Sequence, residues 1–202
     1  MNTTLTKEAD NRPLFLLDID GVVNLFDAWE RTGKVWWDTK GRMQQHKTAP
    51  AHLREALVQG YRLLLHPEHP EMVAEFEDRF ECVWATMWQD RAWYAGLELG
   101  FGVDWDYIDF DSYRIERPVG QMTGIGIGNI KNPGIIDILG DRPGVWVDDD
   151  MTPAQIAWAQ KRTEAGIPTL FIQPDPEFGM TWDHYHQIIA FAEDLADARM
   201  VA

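Results

Sequence analysis

Short apolar runs of strand length alternate with amphipathic stretches along most of the chain. The runs Leu14–Asp18, Tyr61–Leu65, Cys82–Ala85, Val145–Asp148 and Thr169–Ile172 predict strands. Between them, apolar residues at helical spacing predict helices over Glu71–Phe80 and Arg91–Leu99. Ala51–Gln59 reads as a further helix, opened by Pro50 and closed by Gly60. The clearest start signal is Thr152-Pro153-Ala154-Gln155. There a threonine cap, a proline at the first helical position and a glutamine three residues on predict a capping box and a helix from Pro153 to about Ala165. A last helix is expected from Trp182 towards Ala198, capped by Thr181, with Ile188, Ile189, Phe191, Ala192 and Leu195 as its buried stripe. This order predicts an α/β fold, a three-layer α/β/α sandwich around a mainly parallel sheet.

The segment 24–50 breaks the alternation. It mixes charges with Trp29, Trp36 and Trp37 and has no long period, so it predicts a loop or hairpin laid over the strand ends. A small flap or insert over about 24–60 follows the first strand, and residues 1–12 form a polar tail. With no internal repeat or long Gly/Ser linker, residues 1–202 are expected to form one domain.

Charge and composition narrow the partners. Lys and Arg number 18 against 33 Asp and Glu, a net charge of −15, which opposes binding to long nucleic acids because few counterions would be released. The polar N-terminal segment and the carboxylate ending the first apolar run fit neither a signal peptide nor a membrane span, so a cytoplasmic location without membrane contact is expected. The single cysteine, Cys82, lies in an apolar run and reads as a small hydrophobe rather than a nucleophile. Most of the ten tryptophans are expected in the core.

In an open parallel sheet, ligands bind beyond the carboxyl ends of the strands. Three such ends carry polar residues. In LFLLDIDGVVN, Asp18 and Asp20 fall on one side of the chain and Gly21 permits a sharp exit. Two carboxylates this close repel unless a cation lies between them or one keeps its proton, which suits a metal site and an acid/base pair. A solvated Asp-x-Asp-Gly turn accounts for the motif equally well when it is taken alone. In ECVWATM, Thr86 and Met87 follow the strand and can offer a hydroxyl and backbone N–H groups to a phosphate. In GVWVDDD, Asp148, Asp149 and Asp150 precede the capped helix, where acids also complement its positive end. That plainer role is assigned to Asp150, and metal binding to Asp148. Lys131, expected just before a short helix, can balance phosphate charge, although most lysines so situated are solvated.

Taken in this order, Asp18-Ile19-Asp20-Gly21, Thr86, Lys131 and Asp148-Asp149 resemble the four motifs of the haloacid dehalogenase superfamily, over nearly the whole chain from Leu14 to the final helix. The resemblance implies a Rossmann-like core and a Mg2+-dependent phosphatase working through an aspartyl-phosphate. Asp18 would be the nucleophile and Asp20 the proton shuttle, with Thr86, Met87 and Lys131 binding the phosphoryl group. Asp18, Asp20, Asp148 and Asp149 would form the metal site. Relatives that dehalogenate lack the second aspartate, so Asp20 points to ester hydrolysis. The gap between Thr86 and Lys131 is too short for a large cap, which implies a rather open site; a small phosphorylated metabolite or nucleotide is the expected substrate. A phosphatase acting on nucleic-acid ends and a non-catalytic binding protein on the same fold are the competing readings.

Other signals carry less. Gly124-Ile125-Gly126-Ile127-Gly128 has Asn129 where a dinucleotide fingerprint needs glycine, and it reads as a loop leading to Lys131. His66 and His69 lack further ligands, and His184 and His186 face different ways. The alternating run Asp104–Asp111 reads as a solvated strand face. Trp29, Trp36, Trp37 or Trp88 are candidates for stacking on a base near the phosphate site.

Overall fold

The computed structural model describes residues 12–37, 39–40, 43–113 and 127–201. Residues 1–11 of the polar tail and the glycines at 124 and 126 therefore lie outside the described residues. Five strands form one parallel sheet: β1 (Leu14–Leu17), β6 (Glu81–Trp84), β7 (Asp106–Tyr107), β8 (Gly144–Val147) and β9 (Thr169–Ile172). Their spatial order is β7-β6-β1-β8-β9, and every pairing is parallel. β1 is central, registered Leu17 to Trp84 on one side and Leu17 to Val147 on the other. The chain builds outward from β1 to β7, then returns to β8 on the opposite side of β1. That reversal is a topological switch point at the carboxyl end of β1.

Every residue of β1 is buried because both faces of the sheet are covered. Phe15 and Leu17 pack with Phe76 of α1 (His69–Arg79), Leu99 of α2 (Ala92–Leu99) and Ile188 of α5 (Trp182–Val201). Leu14 and Leu16 face Ile135 and Leu139 of α3 (Ile127–Leu139), while Trp158 of α4 (Pro153–Glu164) packs against the same cluster. The result is a Rossmann-like three-layer α/β/α arrangement. On α5, Ile188, Ala192 and Leu195 are buried, whereas Ile189 and Phe191 are half-buried. The tryptophans divide: Trp84, Trp88 and Trp146 are buried, but Trp93 is exposed. No helix among the described residues is long and apolar enough to cross a membrane.

The sequence reading needs correction in three places. Ala51–Gln59 is not a helix: β4 (Arg54–Val58) pairs antiparallel with β5 (Tyr61–Leu65). Gln59 and Gly60 both have positive φ, 52° and 83°, the conformation of a two-residue hairpin turn whose twist matches its strands. The strand at Tyr61–Leu65 thus exists but belongs to this hairpin and not to the central sheet. Lys131 does not precede a helix; α3 begins at Ile127 and contains both Lys131 and Pro133. Finally, the run Asp104–Asp111 contributes only the two residues of β7, followed by a 3-10 turn at Phe110–Tyr113, although Ile108 and Phe110 are buried and Asp109 and Asp111 exposed as alternation requires.

The segment after β1 does form a hairpin, of β2 (Glu30–Trp37) with β3 (Met43–Thr48). The capping box of α4 is present. Thr152 Oγ1 accepts from the Gln155 amide and the Thr152 amide donates to the Gln155 side chain.

Candidate active site

Parallel ladders bring three strand ends to one place. The Asp18 amide donates to Val147 O at 3.0 Å, the Ala85 amide to Leu17 O at 2.8 Å and the Asp148 amide to Ile172 O at 3.2 Å. Asp18, Thr86 and Asp148 therefore leave the sheet side by side at the switch point. Lys131 reaches them from α3, donating to Asp18 Oδ2 at 2.6 Å and to Asp148 Oδ2 at 2.7 Å. Its side chain is only 2% exposed. Burial alone would drive the ammonium to lose its proton, but the two carboxylates outweigh that and hold it charged. Such a pair is kept because each buried ion is compensated; removing either partner would leave an uncompensated charge.

One ammonium does not balance the carboxylates gathered here. Asp149 follows Asp148, and oxygens of Asp18, Asp148 and Asp149 all lie within 4.8 Å of one another. Burial, and then the charge of Asp18, push the Asp148 carboxyl upward against the pull of Lys131. Asp149 is pushed up to about 7 by burial, followed by the charges of Asp18 and Asp148. The excess negative charge and the all-carboxylate donor set fit a hard divalent cation, which takes oxygen ligands. Among the described residues this is the one such cluster. Asp150 lies outside it, and its amide donates to Asp148 Oδ1 at 3.0 Å.

Gly21 makes room for the cluster. Its φ is +75°, and a Cβ there would lie 2.2 Å from Asp149 Cγ. Glycine is thus required both by the backbone and by the approach of Asp149.

Asp20 is arranged differently. Its Oδ1 accepts from Asn24 Nδ2 at 2.6 Å and its Oδ2 from the indole Nε1 of Trp88 at 2.9 Å. Its side chain is not among the three converging carboxylates; two neutral donors hold it instead. Thr86 is buried, and its hydroxyl faces the Trp88 amide at 3.4 Å.

All seven residues singled out in the sequence, Asp18, Asp20, Thr86, Met87, Lys131, Asp148 and Asp149, line one pocket of about 360 Å³. Phe26 and Asp150 complete its wall. Sequence reasoning missed Asn24 and Phe26, which carry no motif, and misread Trp88. Its ring, 8% exposed, packs on Tyr61 at 5.4 Å and is not free to stack on a base. Trp29 lies under the Arg62 guanidinium at 4.4 Å, and the side chains of Trp36 and Trp37 lie outside the described residues.

The other candidates sit elsewhere. Cys82 lies near the start of β6, at the far end of the strand from Thr86, and burial pushes its thiol far above the usual range, which disfavours the thiolate. His69 is buried and pushed down to about 4 by desolvation, with its Nε2 3.1 Å from Met180 O. His184 Nδ1 accepts from the Thr181 amide at the start of α5. Comparisons with protein-family models, with curated proteins and with solved structures each find no match.

Proposed function

We propose that this chain is a Mg2+-dependent phosphomonoesterase of the haloacid dehalogenase type, acting through an aspartyl-phosphate on Asp18. The observation that carries the reading is the convergence of Asp18, Asp148 and Asp149 around buried Lys131, at the switch point of a parallel sheet, with Thr86 at the neighbouring strand end. Asp18, Asp148 and Asp149 would hold the magnesium ion. When bound, the ion would offset the repulsion between a phosphate and the carboxylate that attacks it.

The chain's own residues supply the rest. An Asp18 oxygen forms a bond to phosphorus as the ester P–O bond breaks, and Asp20 gives its proton to the departing oxygen. Water then attacks phosphorus, its proton passes to Asp20, and Asp18 is released as carboxylate. Lys131 and Thr86 bind the phosphoryl oxygens, and the Lys131 ammonium steadies Asp18 between turnovers. Phe26 and Met87 give the leaving group an apolar wall. A small phosphorylated metabolite or nucleotide fits this reading, consistent with the net charge of −15.

The test is hydrolysis of a panel of phosphomonoesters, including nucleotides and phosphate-ended oligonucleotides, with and without magnesium. Metal-dependent turnover that Asp18→Asn abolishes, by at least about 10³-fold, is expected. Preference for the oligonucleotides would favour action on nucleic-acid ends. Absence of turnover across the panel would overturn the enzymatic reading in favour of a binding protein.

A further inference from the structure

We infer that Trp88 is a positioning residue for Asp20, fixing through its indole N–H the direction in which that carboxyl delivers its proton. The inference rests on the phosphatase reading and extends it to a residue with no place in the motifs.

The Asp20 side chain has two oxygens, and each is engaged by one donor: Asn24 Nδ2 on Oδ1 and Trp88 Nε1 on Oδ2. Donors on both oxygens remove the freedom of the carboxyl plane to rotate. Each oxygen keeps a second lone pair, so the carboxyl can still carry and transfer a proton. Both donors are themselves braced. Asn24 is buried and its Oδ1 accepts from the Leu64 amide of β5 at 3.0 Å, which also fixes which end of the amide faces Asp20. Trp88 packs against Tyr61, the first residue of β5, and its amide faces Thr86 Oγ1. The indole N–H is buried with the ring, so it needs an acceptor, and Asp20 is the acceptor it has. The β4–β5 hairpin thus stands behind both donors that aim Asp20.

General acid catalysis contributes typically about 10²–10⁴-fold, and only when the acid lies within hydrogen-bond reach of the leaving oxygen. Its importance depends on the leaving group. An alkoxide must be protonated as the P–O bond breaks, whereas a nitrophenolate leaves as the anion. A residue that aims the acid therefore matters for alkyl esters far more than for nitrophenyl esters. A residue that merely supports the fold matters equally for both.

The experiment compares kcat/KM for an alkyl phosphate and for p-nitrophenyl phosphate, with magnesium, in wild type, Trp88→Phe, Asp20→Asn and the double variant. Trp88→Phe is expected to lower the alkyl-to-nitrophenyl ratio by about tenfold or more, and to lower it no further in the Asp20→Asn background. A ratio within about twofold of wild type, or equal additional losses in both backgrounds, would overturn the inference and leave the phosphatase reading standing. Wild type inactive on both esters would overturn that reading and the inference together. Should Trp88→Phe fail to fold, site-specific replacement by benzothienylalanine, which keeps the bicyclic ring and lacks the N–H, makes the same comparison.

Discussion

Three carboxylates facing one ammonium form an arrangement under electrostatic tension, and Asp149 is where the tension shows. It is half-buried, and its pKa is pushed up to about 7 by burial and by its neighbours' charges. The folded carboxyl holds its proton to higher pH than the unfolded one. Between about pH 4 and pH 7 the folded state therefore binds more protons, and stability falls as pH rises through that window. Asp149→Asn removes the penalty. In metal-free protein it should stabilise by on the order of 1–2 kcal/mol at pH 8, discounted for solvent screening, and by little near pH 4. Thermal melts at the two pH values would read this as a gain of a few degrees at pH 8 alone. A constant difference across the range would contradict the assignment. The residues of this cluster were legible in the sequence because each ends an apolar run, whereas the partners of Asp20 were not, since nothing local marks Asn24 or the indole N–H of Trp88.

The β4–β5 hairpin shows how an element can be misread while its end is read correctly. Glu55, Ala56 and Leu57 all favour helices, so propensity and Pro50 together point to one. What decides is the pairing of Arg54–Val58 with Tyr61–Leu65, which buries Ala56, Val58, Leu63 and Leu65 and leaves Leu57 and Tyr61 outside. Gly60, which local pattern marks as the stop of a helix, is the second residue of a tight turn. The turn gives a prediction. Gly60→Val forces a β-branched residue into the left-handed region and should cost about 1–2 kcal/mol, while Gln59→Asn should stabilise by a few tenths to about 1 kcal/mol. Midpoints of urea denaturation moving in these opposite directions would bear this out; no shift for Gly60→Val would mean that the loop does not hold the stated φ values. By contrast, the capping box at Thr152 was read correctly because its signal spans only four residues.

Over the whole molecule, a net charge of −15 is joined by a cluster that concentrates carboxylates at one end of the sheet. General self-repulsion is relieved by any salt, but the cluster is relieved best by an ion that occupies it. Magnesium chloride should therefore raise the melting temperature beyond sodium chloride of equal ionic strength. That difference should shrink in Asp148→Asn, which keeps two of the three carboxylates. Equal effects of the two salts would argue against a metal site.

The sequence by itself determined where apolar runs begin and end, and hence four of the five strands of the parallel sheet, their order along the chain and the acids at their ends. These follow from local periodicity, which needs only neighbouring residues. The tertiary structure alone decided that Tyr61–Leu65 leaves the sheet for a hairpin, that Lys131 reaches Asp18 across 113 positions and that Trp88 reaches Asp20 across 68. Contacts at such separations depend on how the layers close over one another, and no short pattern of side chains encodes that closure.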